Sequence, residues 1–308
     1  MERQDYLLIF KLVMKTGEFT MKQLDYKPGA ILREVTDQLQ VALGDKIDTL
    51  TVERVAIGLF FTGVKLNTGQ GGLCFTPIKN IPGAVCCPSS ARAMPSSGRL
   101  RGKKATDIIN EMFSGSPLKK ALGIATLNAL SAVYWNNKPT VNYSIQTGVD
   151  PLDGTIIPDD AKVVVIGAMT PYLKMLKKRE KEFTILELDP ATLKPDEMSF
   201  YVPVEKAPEK IPQADWLIIT GTTLINDTLD EILSLVKPGA QVIVVGPTAS
   251  MLPEAFFRRG VKAVGGIIAT KADELLDIIS EAGSGYHFFG KYADRVVFME
   301  RESSLCSL

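Results

Sequence analysis

Residues 162–189, KVVVIGAMTPYLKMLKKREKEFTILELD, restrict the possible folds of this chain more than any other stretch. An apolar run stops at Gly167. A tight turn with Pro171 follows, then a short basic segment, then a second apolar run closing on Glu187 and Asp189. Runs this apolar on both parities suit strands covered on both faces, as in parallel sheets. The stretch therefore reads as the opening βαβ half-unit of a Rossmann-like domain. The alternation continues, with strands predicted at 199–204, 216–220, 241–246, 263–268 and 295–299. Helix starts punctuate it. Thr228 and Glu231 have the spacing of a capping box. Ser250 is placed to cap a helix running to Arg259, and Thr270 and Asp273 to open another.

The chain before this stretch has a different rhythm. A helix is predicted from Pro28, with Ile31, Leu32, Val35 and Leu39 at helical spacing. Residues 51–64 read as one strand, 65–72 as a glycine-rich turn and 72–78 as the returning strand of a hairpin. A loop at 79–103 leads to a short helix at 105–113. Ser116-Pro117 then starts a helix over 118–135 that is apolar nearly all round, so it is expected to be buried. Residues 136–160, dense in Asn, Asp, Pro and Gly, read as a linker. The organisation expected is α/β in two parts: an α+β domain over 1–145 and a Rossmann-like, mostly parallel domain over 146–308. Residues 1–25 read as a short helix or an appended strand.

Lys plus Arg and Asp plus Glu both number 35 in 308 residues. A neutral chain lacks the basic surface that nucleic-acid binding draws on, so no nucleic-acid partner is expected. No apolar run reaches the ~20 residues that span a bilayer, so no membrane partner is expected. The first residues do not resemble a signal peptide, and a cytoplasmic location follows as an expectation. The four cysteines, Cys74, Cys86, Cys87 and Cys306, have no zinc-ligand spacing and read as reduced thiols. The Cys86-Cys87 pair also suits a soft metal, although incidental loop thiols are commoner. A homo-oligomer is expected from base rates.

Ligands of open α/β sheets bind beyond the carboxyl ends of the strands. Those ends carry Gly167, the pair Glu187 and Asp189, Thr220, Thr222 and Thr223 with Asn226 and Asp227, and Gly246, Pro247 and Thr248. Hydroxyls, glycines and helix starts there suit an anion, and Glu187, Asp189 and Asp227 could supply oxygen ligands to a metal or act as acid and base. Glu187 lies where a ribose-binding acid would stand, but GxGxxG is absent and Pro171 removes a donor. A polar residue at a strand end is also ordinary. His287, the only histidine, reads as a turn residue before it reads as a catalyst. Asn128, expensive to bury unpaired, either bonds its own helix or a neighbouring loop, or faces a cleft between the domains. Thr62, Gly63 and Asn67 mark a hairpin whose tip could reach the rim, or serve turn geometry alone.

Several segments resemble a known family: IGLFFTGVKL with its glycine turn, ALGIATLNAL, DWLIITGTTLINDTLDEILSL, VIVVGPTASMLP and RRGVKAVGGI. Together they are similar to the putative heavy-metal-chelation proteins. The resemblance implies an enolase N-terminal-like domain preceding a Rossmann-like one, with fold likeness only and no enolase barrel. It further implies a site in the interdomain cleft for a transition metal ion, a metal chelate or another small molecule, in metal handling or anaerobic cobalamin synthesis. Motif-bearing positions are Thr62, Gly63, Asn128, Thr222, Asn226, Asp227 and Gly246 to Thr248. The competing reading is a transferase-like enzyme that holds a nucleotide cofactor on Glu187.

Overall fold

The computed structural model describes residues 24–81 and 95–301. The expectations for residues 1–23, for Cys86 and Cys87 and for the tail with Cys306 lie outside the described residues. Among those described, the elements are α1 (Ala30–Leu43), β1 (Val52–Ile57), β2 (Phe61–Leu66), β3 (Gly71–Phe75), α2 (Ala105–Glu111), α3 (Pro117–Asn136) and β4 (Tyr143–Thr147). Then follow β5 (Val163–Ile166), α4 (Thr170–Lys177), β6 (Thr184–Glu187), β7 (Tyr201–Pro203), α5 (Ala207–Lys210), β8 (Trp216–Thr220) and α6 (Leu229–Ser234). The chain closes with β9 (Gln241–Val245), α7 (Glu254–Phe257), β10 (Val261–Ala269), α8 (Ala272–Ser280), α9 (Gly285–Phe288) and β11 (Ala293–Glu300).

Among the described residues the large sheet has eight strands in the order β4-β11-β10-β9-β8-β5-β6-β7. The six from β10 to β7 run parallel, and β11 and β4 join antiparallel at one edge. Alternate residues of the central strands enter two different cores. Val164, Ile166, Leu217, Ile219, Val242 and Val244 face the side covered by α1, α3, α6 and α7. Val163, Val165, Ile218, Ile243 and Val245 face α4 and Leu152. Both parities are buried, which accounts for runs with no apolar–polar alternation. From β5 the chain moves outward to β6 and β7, then returns to the other side of β5 for β8 and β9. The strand order therefore reverses between β5 and β8.

The small sheet is an antiparallel meander, β1-β2-β3. Residues 51–64, expected as one strand, are two: Gly58 N–H donates to the Phe61 carbonyl (2.9 Å) and closes a turn. The apolar Leu59 and Phe60 at this turn concealed it, because turn tips are normally polar. One meander face packs on α3 and the other on α8, through Ala56, Leu73, Leu275, Leu276 and Ile279. Gly72 is what lets β3 touch α3: a Cβ there would collide with the Ala125 carbonyl oxygen and the Ala129 nitrogen.

Ser116 caps α3 as expected, its hydroxyl accepting the Lys119 N–H, with Pro117 opening the helix. Other expected caps fail. Thr228 makes no side-chain cap to α6. Ser250 caps nothing, because its hydroxyl donates to the Pro247 carbonyl (2.8 Å) and accepts the Ile267 N–H (2.8 Å), fastening the β9 loop to β10. The helix expected after it is the single turn α7. Neither Thr270 nor Asp273 caps α8, which begins after Lys271. Within the expected linker, residues 143–147 form β4, paired to β11. No helix among the described residues is long and apolar enough to cross a membrane.

Candidate functional site

The expected site residues separate into two groups and a few outliers. The first group is a closed seam between the meander and the large sheet, organised by α3. Asn128 is 2 % exposed. Its Nδ2 donates to the carbonyls of Leu73 on β3 (2.6 Å), Pro247 (3.1 Å) and Thr248 (3.1 Å). Its Oδ1 has no partner. Thr248 in turn accepts the Phe75 N–H on its hydroxyl (3.0 Å). Thr62 and Thr76, both buried, share a hydroxyl–hydroxyl bond of 3.0 Å. Gly63 is buried against Leu276 and Leu73. Asn128, Thr248 and Gly63 join the meander and α3 to the part built on the large sheet, while the Thr62–Thr76 bond lies within the meander part. Asn67 is away from the seam: its side chain accepts the Thr51 N–H and donates to the Thr49 carbonyl.

Two residues that the sequence reading missed, and one that it read only as a reduced thiol, belong to this seam. Lys120, 9 % exposed, pairs with Asp227. Ser131 accepts the Leu252 N–H (3.2 Å). Cys74 is fully buried beside Thr248, and burial pushes its thiol pKa up, so it is inert. A signal for the first two was present. Lys120, Asn128 and Ser131 fall within roughly a quarter of the helical circumference, a polar stripe that the all-round apolar reading of α3 absorbed.

The second group is the open carboxyl rim at β5, β6 and β8. Gly167 ends β5 with φ +98, and a Cβ there would stand 2.6 Å from Thr220 Cγ2, so the two loops approach as closely as glycine allows. Thr220 Oγ1 accepts the Thr222 N–H (3.4 Å) and hydroxyl (3.2 Å), while Thr223 donates to the Thr220 carbonyl (2.7 Å). The Gly246 loop lies alongside Gly221. Glu187 accepts the Ala168 N–H on Oε2 (2.7 Å) and the Asp189 N–H on Oε1 (3.0 Å). Asp189 accepts the Ala191 N–H (3.0 Å) and pairs with Lys79, from the segment that follows β3. Lys79 holds the Asp189 carboxyl below the usual range. Exposed apolar side chains, Leu188 on the rim and Ile78 next to Lys79, flank this ion pair. Met169 and Thr170 complete the edge at the start of α4.

The expected metal set does not assemble. Asp227 sits behind the rim with Lys120, in a left-handed backbone conformation (φ 58), and Asn226 beside it is exposed. Glu187 and Asp189 are engaged by backbone N–H groups and by Lys79. Among the described residues no three His, Cys, Asp or Glu side chains group to hold a metal ion. A soft heavy metal prefers thiolate or imidazole. The described thiol is the inert Cys74, and His287 is occupied in a surface turn, where its Nδ1 accepts the Ser284 N–H (3.0 Å). The described residues thus do not fit a bare heavy-metal ion.

Family models described as putative heavy-metal chelation match residues 150–298 (DUF364) and 41–131 (DUF4213). An uncharacterized protein of Methanocaldococcus jannaschii is 33% identical over 190 residues, 61% of this chain and 69% of that protein. Two crystal structures of DUF364-family proteins of unknown function share the fold. The one from Pyrococcus horikoshii has TM-score 0.67 at 19% identity, and the one from Desulfitobacterium hafniense 0.62 at 16%. Each superposition covers 87% of this chain and 98% of the other. From these matches, which span both parts of the structure, the chain belongs to the putative heavy-metal-chelation family.

Proposed function

We propose that the protein binds a metal complex, a metal ion already held by a small organic chelator, on the open rim between the β5 and β8 ends and the segment after β3. The carrying observation is the reversal of strand order between β5 and β8, the place where open α/β sheets receive ligands. It coincides here with the closest approach of two loops, Gly167 against Thr220. Around it stand the hydroxyls of Thr170, Thr220 and Thr222, with the Lys79–Asp189 pair bridging the two domains. The family description concerns heavy-metal chelation, yet the described residues lack a set of donors for a bare ion. A chelator that brings its own donors reconciles the two, and asks the protein only for hydrogen bonds and apolar contact.

The test is elemental analysis together with small-molecule mass spectrometry, on protein purified anaerobically without an affinity metal column. Metal and an organic chelator in equal amounts, both lost on Thr222→Trp with the fold intact by circular dichroism, are expected. Stoichiometric metal with no organic partner, or metal lost on Cys86→Ser, overturns the reading. One observation favours the nucleotide-enzyme alternative: Glu187 does stand at the end of β6, where a ribose would be held. Retained nucleotide would establish it.

A further inference from the structure

Glu187 occupies the place at this rim that a bound oxyanion would take. In nucleotide-binding α/β domains the N–H groups of the loop after the first strand receive phosphate. Here the corresponding loop gives its Ala168 N–H to Glu187 Oε2 (2.7 Å). The other carboxylate oxygen takes the Asp189 N–H of the next loop (3.0 Å). One side chain thus bridges the loops after β5 and β6. The neighbouring donors are also taken: Gly167 N–H bonds the Leu186 carbonyl (3.0 Å) and Met169 N–H the Gly167 carbonyl (2.9 Å). Pro171, at the second position of α4, has no N–H to offer. Among the described residues, the charged side chains bonded at these two loops are Glu187, Asp189 and Lys79. With Lys79 paired to Asp189, one negative charge remains, at the position where a phosphate would bind.

We infer that Glu187 is the specificity-determining residue of the rim, a built-in carboxylate that excludes phosphates and other oxyanions and leaves the site to neutral or cationic ligands. This rests on the rim being the ligand site. It narrows the ligand to a complex whose net charge is zero or positive, such as a divalent ion in a neutral chelator. Like-charge repulsion at contact distance near a protein surface is strong enough to set such a preference. The engaged N–H groups of Gly167, Ala168 and Met169 add to it, because an incoming anion would have to displace their present partners.

The probe is inorganic pyrophosphate, titrated calorimetrically into the full chain. The variants are Glu187→Gln, of the same shape without the charge, and Glu187→Asp, which keeps the charge. Glu231→Gln removes an exposed charge from α6 and controls for net charge. Melting temperature and circular dichroism establish that each variant is folded. The wild type, Glu187→Asp and Glu231→Gln are expected to show no saturable binding. Glu187→Gln is expected to show saturable binding, with an affinity about tenfold or more above the detection limit that bounds the wild type, the scale of one removed unit charge. Saturable pyrophosphate binding by the wild type overturns the inference, as does a folded Glu187→Gln variant with no gain. Because pyrophosphate carries neither metal nor chelator, a gain in Glu187→Gln stands even if purified protein proves to hold no metal complex.

Discussion

Replacing Asn128 by alanine measures how firmly the two parts are joined. From a buried position the wild-type amide serves three carbonyls, one on β3 and two in the β9 loop, with only two N–H donors. Each contributes about 1 kcal/mol net, and their loss leaves carbonyls that water does not reach. Against this, the unpartnered Oδ1 disappears with the side chain, recovering about 1 kcal/mol. The balance is a destabilisation of about 2–3 kcal/mol. For a chain this long, that corresponds to a fall in melting temperature of roughly 3–5 °C. Asn128→Asp should be worse, because it turns a carboxylate toward three carbonyl oxygens in a buried place. Urea denaturation followed by tryptophan fluorescence and by circular dichroism reads both the size and the coupling. Trp135 stacks on Phe298 of β11 and Trp216 lies on β8, so fluorescence reports the large sheet while circular dichroism reports every element, and a loosened seam would separate the two transitions. A change under about 0.5 kcal/mol in Asn128→Ala, with coincident transitions, would refute the reading of this residue as the bolt between the domains.

Other outcomes follow from the same geometry. Gly72→Ala forces a methyl into the α3 backbone and should cost about 3 kcal/mol or more, read as loss of soluble protein or a large fall in urea midpoint. Gly167→Ala should lower the melting temperature through both its positive φ and its clash with Thr220. Adding Thr220→Ser removes the clashing methyl and should restore part of the loss, while no restoration would mean that backbone strain accounts for all of it. Asp230 is 2 % exposed and accepts the Ile31 N–H near Arg259, and burial raises its pKa to about 6 despite that arginine. A raised folded-state value means this group's stabilisation is complete below about pH 4 and is lost as the pH rises through 6, a difference of about 3 kcal/mol. Asp230→Asn should therefore flatten the dependence of stability on pH between 4 and 7 relative to wild type, and an unchanged slope would show that Asp230 titrates normally.

Which parts of this were readable without coordinates depends on how local the physics is. The runs at 163–166 and 216–220 announce buried parallel strands because both parities are apolar, and no tertiary context is needed to see that. Ser116-Pro117 is equally local. The capping box at Thr228 fails because Thr228 has helical rather than extended backbone angles, next to a left-handed Asp227 whose partner Lys120 lies more than a hundred residues away in sequence. Ser250 was read as a cap from its immediate neighbours, but its partners are set by the docking of β10. Residues 143–147 look like linker because, among the described residues, they pair with β11, which begins about 150 residues later. Among the site residues, the strand-end rule brought Gly167, Thr220 and Glu187 to one rim. It also gathered Asp227 and Thr248, whose partners at the seam, Lys120 and the Phe75 N–H, lie on other elements and leave no trace in local spacing.

The position of β4 affects how the chain can be made. Its ladder partner, β11, begins about 150 residues later, at Ala293. At the usual ~5–20 residues per second of synthesis, Tyr143–Thr147 waits roughly 10–30 s for its partner. Until then both edges of this uncharged five-residue strand are open to any other strand nearby. The same interval leaves Trp135 without Phe298, the ring it stacks on at 4.5 Å. Ribosome stalling or truncation before residue 293 should therefore yield a chain whose sheet is nearly built yet sticky, a substrate for chaperones rather than a smaller version of the protein.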